Sequence, residues 1–303
     1  MALMQSKWLT YALITTLLWG VWGAFTGLPA EKGFPDTLIY VVWALTMVPP
    51  ALIVLARARW RIQFDRRSVL LGLAVGVLGA GGQMLLFRAV QLGPPYLIFP
   101  IVSLSPALTI VLSLVLLRER TGRLGAAGIA LALCSLPLFD FQGGQGGEAL
   151  GLWFAMSLAV LVAWGLQAYF IKFANATMEA ESIFFYMTVT ALLFVPMAVW
   201  LTDFSQPINY GPSGPGLAAA IQVLNAVGAL TLVYAFRHGK ALVVSPLVNA
   251  GAPLLTAVIS MLVSGMVPSG TKLAGVALAL LAALLLALQP EVATASAAEG
   301  ELA

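Results

Sequence analysis

The chain has 303 residues, of which 61% are hydrophobic and only 9% charged, and its mean hydropathy is +0.98. Soluble proteins carry about a quarter charged residues, so a soluble enzyme, a nucleic-acid binder or a disordered tail is excluded as a description of the whole chain. The formal net charge of +3 then has a topological cause, because membrane chains concentrate Lys and Arg on one side of the bilayer.

The apolar residues form ten blocks of 19 to 25 residues, and about 20 residues of helix cross the hydrocarbon. The expected spans are Trp8 to Leu28, Thr37 to Ala56, Ser68 to Val90, Tyr96 to Leu117 and Gly122 to Asp140, followed by Gly151 to Phe173, Glu181 to Thr202, Leu217 to Arg237, Ala241 to Gly265 and Thr271 to Gln289. Barrel strands would be about 9–11 residues long and alternating, so these blocks predict an all-α integral membrane protein of ten transmembrane helices. The first block exceeds the about 7–15 apolar residues of a signal-peptide core and is expected to remain as a helix.

Basic residues set the expected orientation. Lys7, Arg57, Arg59, Arg61, Arg66, Arg67, Arg118, Arg120, Arg123, Lys172, Arg237 and Lys240 fall on one side of the ten-span plan, against Lys32, Arg88 and Lys272 on the other. The positive-inside rule makes the first side cytoplasmic, with both termini there, in a bacterial inner (plasma) membrane.

The two halves match in order. Trp19 and Gly20 pair with Trp164 and Gly165 at an offset of 145, Pro100 with Pro246 at 146, and Val48, Pro49 and Pro106 with Val195, Pro196 and Pro253 at 147. Gly128 to Leu133, GIALAL, matches Gly275 to Leu280, GVALAL, again at 147. Five ordered matches indicate a duplication. The expected units are residues 1–147 and 148–290, followed by a disordered cytoplasmic tail over 291–303. Five spans is an odd number, so the second unit enters the membrane from the other side. Inverted-topology repeats are a signature of secondary transporters, since two related halves can exchange conformations and open alternate faces.

Phe87, Arg88, Ala89, Gly93 and Pro94, then Pro100, Ser103, Leu104, Ser105 and Pro106, then Leu117 to Arg120 and Gly128, resemble the drug/metabolite transporter superfamily, EamA-like group. That group has a Leu-Gly-Glu-Arg turn where this chain reads Leu-Arg-Glu-Arg, and the second copy has Ser264, Gly265 and Met266 without a glutamate. The resemblance covers nearly the whole chain. It implies a ten-helix permease of two five-helix repeats around a central cavity, moving amino acids, nucleosides, cationic amphiphiles or sugar derivatives.

The expected chemistry is sparse. All twelve acidic residues lie at block edges or in loops, which argues against an intramembrane carboxylate acting as a proton relay. One histidine, His238, and one cysteine, Cys134, leave little from which to build an enzyme, a metal site or a disulfide. His238 stands beside Arg237 and Lys240, where a solvated basic loop outweighs a pH switch. Arg88 is read as snorkelling from a helix end, with carboxylate binding as the alternative. Gly72, Gly76, Gly79, Gly81 and Gly82 sit in an apolar helix with no strand before them, so they indicate helix packing rather than a nucleotide fingerprint. Asn175 to Thr177 is a glycosylation sequon on the cytoplasmic side and is discounted. The prolines inside spans two, four, seven and nine are candidate hinges or static kinks.

The deep polar and aromatic residues carry more. A buried amide in lipid needs a partner, so Trp19, Gln83, Ser103, Trp164, Gln167, Asn225 and Asn249 are expected to line a central substrate-binding cavity. Aromatic walls with a few amides suit a neutral or zwitterionic organic molecule, or a soft cation held over ring faces. The alternative is that these groups only bond across helices, in a non-transporting assembly or sensor subunit. The expected partners are a small-molecule substrate and the lipid bilayer, with a homodimer as the oligomer to test; no nucleic acid, cofactor or metal is expected.

Overall fold

A computed structural model describes residues 2–116, 122–140, 151–238 and 241–288. The Leu117 to Arg120 turn, the Gln142 to Gly147 loop and the 291–303 tail lie outside the described residues. The described chain is helical along its length: α1 (Ala2–Phe25), α2 (Asp36–Arg57), α3 (Arg66–Leu92), α4 (Pro95–Leu116), α5 (Arg123–Asp140), α6 (Leu152–Ala174), α7 (Ala180–Trp200), α8 (Leu217–His238), α9 (Ala241–Ser264) and α10 (Gly270–Ala287). Among the described residues nine spans are long and apolar enough to cross a bilayer, and α5 fills the tenth place with a shorter apolar stretch, Arg123–Leu138.

Local chemistry sets where helices start and break. The Asp65 carboxylate caps α3, accepting from the backbone N–H groups of Arg67 and Ser68 at 3.1 Å each, and hydrogen bonding from Ser68 holds that carboxyl below its ordinary range. Spans α2 and α7 each break at matching places, at Met47 before Val48-Pro49-Pro50 and at Phe194 before Val195-Pro196. Proline brings no N–H to the preceding turn, so a new helical segment begins around it. Span α4 breaks at Ser103–Leu104, ahead of Pro106. Its counterpart α9 runs unbroken through Pro253, so the expected bend forms in one copy only. Ser103 at the break donates to the Pro100 carbonyl at 2.7 Å, and Ala250, Gly251 and Ala252 stand at the matching place before Pro253.

The loops sort into two ends. At the basic end the α2–α3 loop meets the α6–α7 loop: Tyr186 Oη donates to the Gln63 carbonyl at 2.7 Å and Ser182 Oγ to Gln63 Oε1 at 2.6 Å. Tyr11 packs there against Tyr234 and stacks on the exposed His238, and the Arg57 guanidinium lies 4.7 Å from the centre of the Tyr234 ring. At the opposite end Thr37 and Thr202 share a 2.7 Å hydrogen bond, and Asn209 N donates to the Gly33 carbonyl at 2.9 Å. Such sorting requires each five-helix repeat to be inverted relative to the other. The Asn209 to Gly216 stretch, rich in glycine, is tied down. Asn209 Nδ2 donates to the Lys32 carbonyl and to Ser213, and Gly214 is buried in the turn Pro212–Gly216. Short polar side chains satisfying backbone groups, rather than glycine content, decide the order of that loop.

Packing mixes the two repeats. Helix α1 packs on α8 and α9, α6 on α3 and α4, α7 on α3, α2 on α8, and α5 on α10. One bundle therefore combines α3, α4, α6 and α7, and the other α1, α2, α8 and α9. Contacts at repeat-related positions match pairwise. Thr109 donates to the Gly165 carbonyl at 2.9 Å and Thr256 to the Gly20 carbonyl at 3.1 Å. The Trp164 indole sits on Gly82 and the Trp19 indole on Gly228, where an added methyl would run into the ring.

Those two seats give a test. Gly81 has nothing within 4 Å of an added methyl, so Gly81→Ala should be neutral or stabilising through its higher helix propensity. Gly82→Ala and Gly228→Ala should each destabilise by about 1–3 kcal/mol through overpacking. Melting temperatures of the three detergent-purified variants decide it; equal behaviour of Gly81→Ala and Gly82→Ala would exclude the close seat.

Candidate functional site

A cavity of about 510 Å³ lies between the two bundles. Trp19, Gln83, Ser103, Trp164, Gln167, Asn225 and Asn249 all line it, so the structure brings together every residue singled out from the sequence. They come from α1, α3, α4, α6, α8 and α9. Trp22, Trp43, Phe99, Phe184 and Met187 complete an aromatic and thioether wall. Trp43 was missed in the sequence because it has no aromatic counterpart in the second half; its signal was depth, since an interface anchor sits at a span's end rather than its middle.

Hydrogen bonds fix most of the polar wall. Trp19 Nε1 donates to the Asn225 carbonyl at 3.1 Å, and at the repeat-related position Trp164 Nε1 reaches toward the Gly79 carbonyl at 3.5 Å. Trp43 Nε1 donates to Asn225 Oδ1 at 3.0 Å, and Gln167 Nε2 to the Val75 carbonyl at 3.1 Å. Gln83 differs. It is 4% exposed, and its amide Nε2 has no hydrogen-bond partner among the described residues. A buried amide left unpaired costs about 1–3 kcal/mol, and a cavity wall is where a ligand acceptor would recover it.

The cavity is closed toward one end and open toward the other. At the opposite end Trp22 Nε1 donates to Gln222 Oε1 at 2.8 Å, Gln222 Nε2 reaches Thr26 Oγ1 at 3.3 Å, and Trp22 meets Phe99 edge-on with ring centres 5.6 Å apart. Tyr40 Oη donates to the Ala191 carbonyl at 3.1 Å just beyond. One core spans both bundles there, including Tyr40, Leu86, Phe99, Ala191 and Ile221. Toward the basic end the core divides, with Val75, Met178, Ile183 and Tyr186 in one bundle and Ala12, Ala235, Val244 and Val248 in the other. Asn249 on α9 and Ala168 on α6, both on the cavity wall, are exposed.

No Asp, Glu, Lys, Arg or His lines the cavity among the described residues. Arg88, the outlier of the charge pattern, lies instead at the opposite end, hydrogen-bonded to Gln91 and 3.9 Å from the Asp36 carboxylate. Cys134 is exposed on α5, away from the cavity wall.

Inverted five-helix repeats, two bundles built across them and a central cavity open to one end are the architecture of a membrane transporter. The sequence matches the EamA-like transporter family in two stretches, residues 6–139 and 150–288, and the chain belongs to that family. A solved crystal structure of a protein resembles it with a TM-score of 0.63 at 20% identity, covering 92% of this chain and 96% of that one; at that identity the likeness concerns the fold. No curated protein matches the sequence.

The unpaired amide yields a prediction. Gln83→Met removes a buried donor without a partner, so the melting temperature in detergent should hold or rise. Affinity for any cavity ligand that accepts from Gln83 should fall about tenfold or more, the loss of one buried hydrogen bond. A large loss of stability with unchanged affinity would assign Gln83 to packing.

Proposed function

We propose that the chain moves a small organic metabolite across the bacterial inner membrane by alternating access, as an exporter or exchanger, with the basic end and both termini cytoplasmic. Trp19, Gln83, Ser103, Trp164, Gln167, Asn225 and Asn249 contact the substrate. The observation that carries this reading is their convergence on one uncharged, aromatic cavity. In such a lining a full ion without a counter-charge is costly to desolvate. A zwitterion or neutral molecule, such as an amino acid, keeps its charges balanced, and an amphiphilic amine gains from ring faces.

A panel of amino acids, nucleosides, quaternary amines and sugar derivatives tests the class. A ligand present at about 100 times its dissociation constant stabilises by roughly 2.7 kcal/mol, which thermal melting of the purified protein reads directly. In liposomes carrying the hit, Trp164→Ala should abolish flux while the protein stays folded; unchanged flux would remove Trp164 from the site. A flat panel together with no flux would move the assignment to an assembly or sensor subunit.

A further inference from the structure

A second hollow, of about 630 Å³, lies on the α3–α6 pair at the basic end. Its α3 wall is Arg66, Arg67, Leu70 and Leu71, and its α6 wall Tyr169, Phe170 and Phe173. Helical period fixes its direction. On α3 the central cavity takes Gly76, Gly79, Ala80 and Gln83, and at about 100° per residue Arg67, Leu70 and Leu71 point to the other side of the helix. On α6 the cavity takes Trp164, Gln167 and Ala168, and Phe170 and Phe173 likewise point away. The hollow therefore faces the surrounding membrane, and Leu70 on its floor is 58% exposed.

Its chemistry has two parts. The guanidinium groups stand at the start of α3, where the helix dipole adds positive potential, and among the described residues neither has a carboxylate within salt-bridge distance. Asp65, next in sequence, is engaged in capping the helix. Beyond them the wall is aromatic and aliphatic, toward the hydrocarbon. The inverted repeat supplies an internal control. The related positions at the opposite end are Pro212, Ser213, Gly216 and Leu217 on one side and Ala24, Phe25 and Leu28 on the other, with no charge and one aromatic ring. The scaffold does not require arginines and aromatics here; only the basic end carries them.

We propose that this groove holds an anionic phospholipid of the adjoining leaflet, its headgroup phosphate on Arg66 and Arg67 and one acyl chain along Leu70, Phe170 and Phe173. Arginine forks match phosphate oxygens in pairs, and juxtamembrane basic groups attract anionic lipid.

The test uses the full chain in detergent, with bound lipid read by native mass spectrometry and melting temperature. The probes are dioleoyl phosphatidylglycerol, dioleoyl phosphatidylcholine and inorganic phosphate. Phosphatidylglycerol should be retained and stabilise the protein, phosphatidylcholine should do so far less, and inorganic phosphate alone should do neither. Arg66→Gln with Arg67→Gln should weaken phosphatidylglycerol about thirtyfold, at about fivefold for each basic group near an anionic headgroup. Arg59→Gln with Arg61→Gln, on the neighbouring loop, should change it little. Leu70→Glu, from an exposed position, places a negative charge in the groove and should abolish retention even if the double arginine variant fails to fold. Equal retention of the two lipids, equal loss in the loop variant, stabilisation by inorganic phosphate alone, or full retention in Leu70→Glu would each overturn the proposal.

Discussion

The centre of the molecule rests on two indole rings seated on glycines. In lipid the Trp Nε1–H has no water to turn to, so Trp19 and Trp164 reach for backbone carbonyls of the facing helix, and they get close enough only where that helix has no side chain, at Gly228 and Gly82. Each seat joins a helix of one repeat to a helix of the other. The two bundles thereby cross the repeats, and the surface between them becomes a cavity lined by both halves.

Duplication fixes the scaffold, while the lining has diverged. Trp22 and Gln167 occupy related positions, as do Gln83 and Ala229, and all four line the cavity. One wall thus offers amides where its counterpart offers an indole or a methyl. A symmetric frame thus holds an asymmetric wall. The absence of charge from the described wall limits how far electrostatics contributes, and leaves shape, stacking and the unpaired Gln83 donor to discriminate.

Much of this was legible in the sequence because lipid is a demanding solvent. Span length, the bias of arginines to alternate loops and the odd number of spans per repeat together fix the inverted ten-helix plan. Amides deep in apolar blocks must face protein or water, and the four selected, Gln83, Gln167, Asn225 and Asn249, line one cavity with Trp19, Ser103 and Trp164. The rest turned on local competition that composition does not register. Nothing in the pairing of Pro106 with Pro253 tells that one helix breaks and the other runs on. Asn209, in a glycine-rich stretch, organises a loop through its own side chain. Trp43 entered the wall through a hydrogen bond to Asn225 on a helix far away in sequence.

The closed end also bears on the proposed cycle. Inverted repeats imply a second conformation in which the basic end closes with the counterparts of the present seal. Those counterparts differ in kind. Trp22 and Gln222, which hydrogen-bond at the opposite end, correspond to Gln167 and Gly76, and Trp43 and Asn225 correspond to Thr190 and Gly79. A glycine has no side chain to hydrogen-bond, so these two pairs, each within one bundle, have no equivalent in the other bundle. Across the bundles the present seal is the Tyr40 Oη–Ala191 carbonyl hydrogen bond and the Trp22–Phe99 ring pair, and the counterpart of Tyr40 is Met187, which has no hydroxyl to donate, so the two ends close by different contacts. A substrate drives exchange only to the extent that it binds the less favoured state more tightly. The groups positioned to supply that difference are those at a contact between the bundles that opening must break, Trp22 and Phe99, both already on the cavity wall.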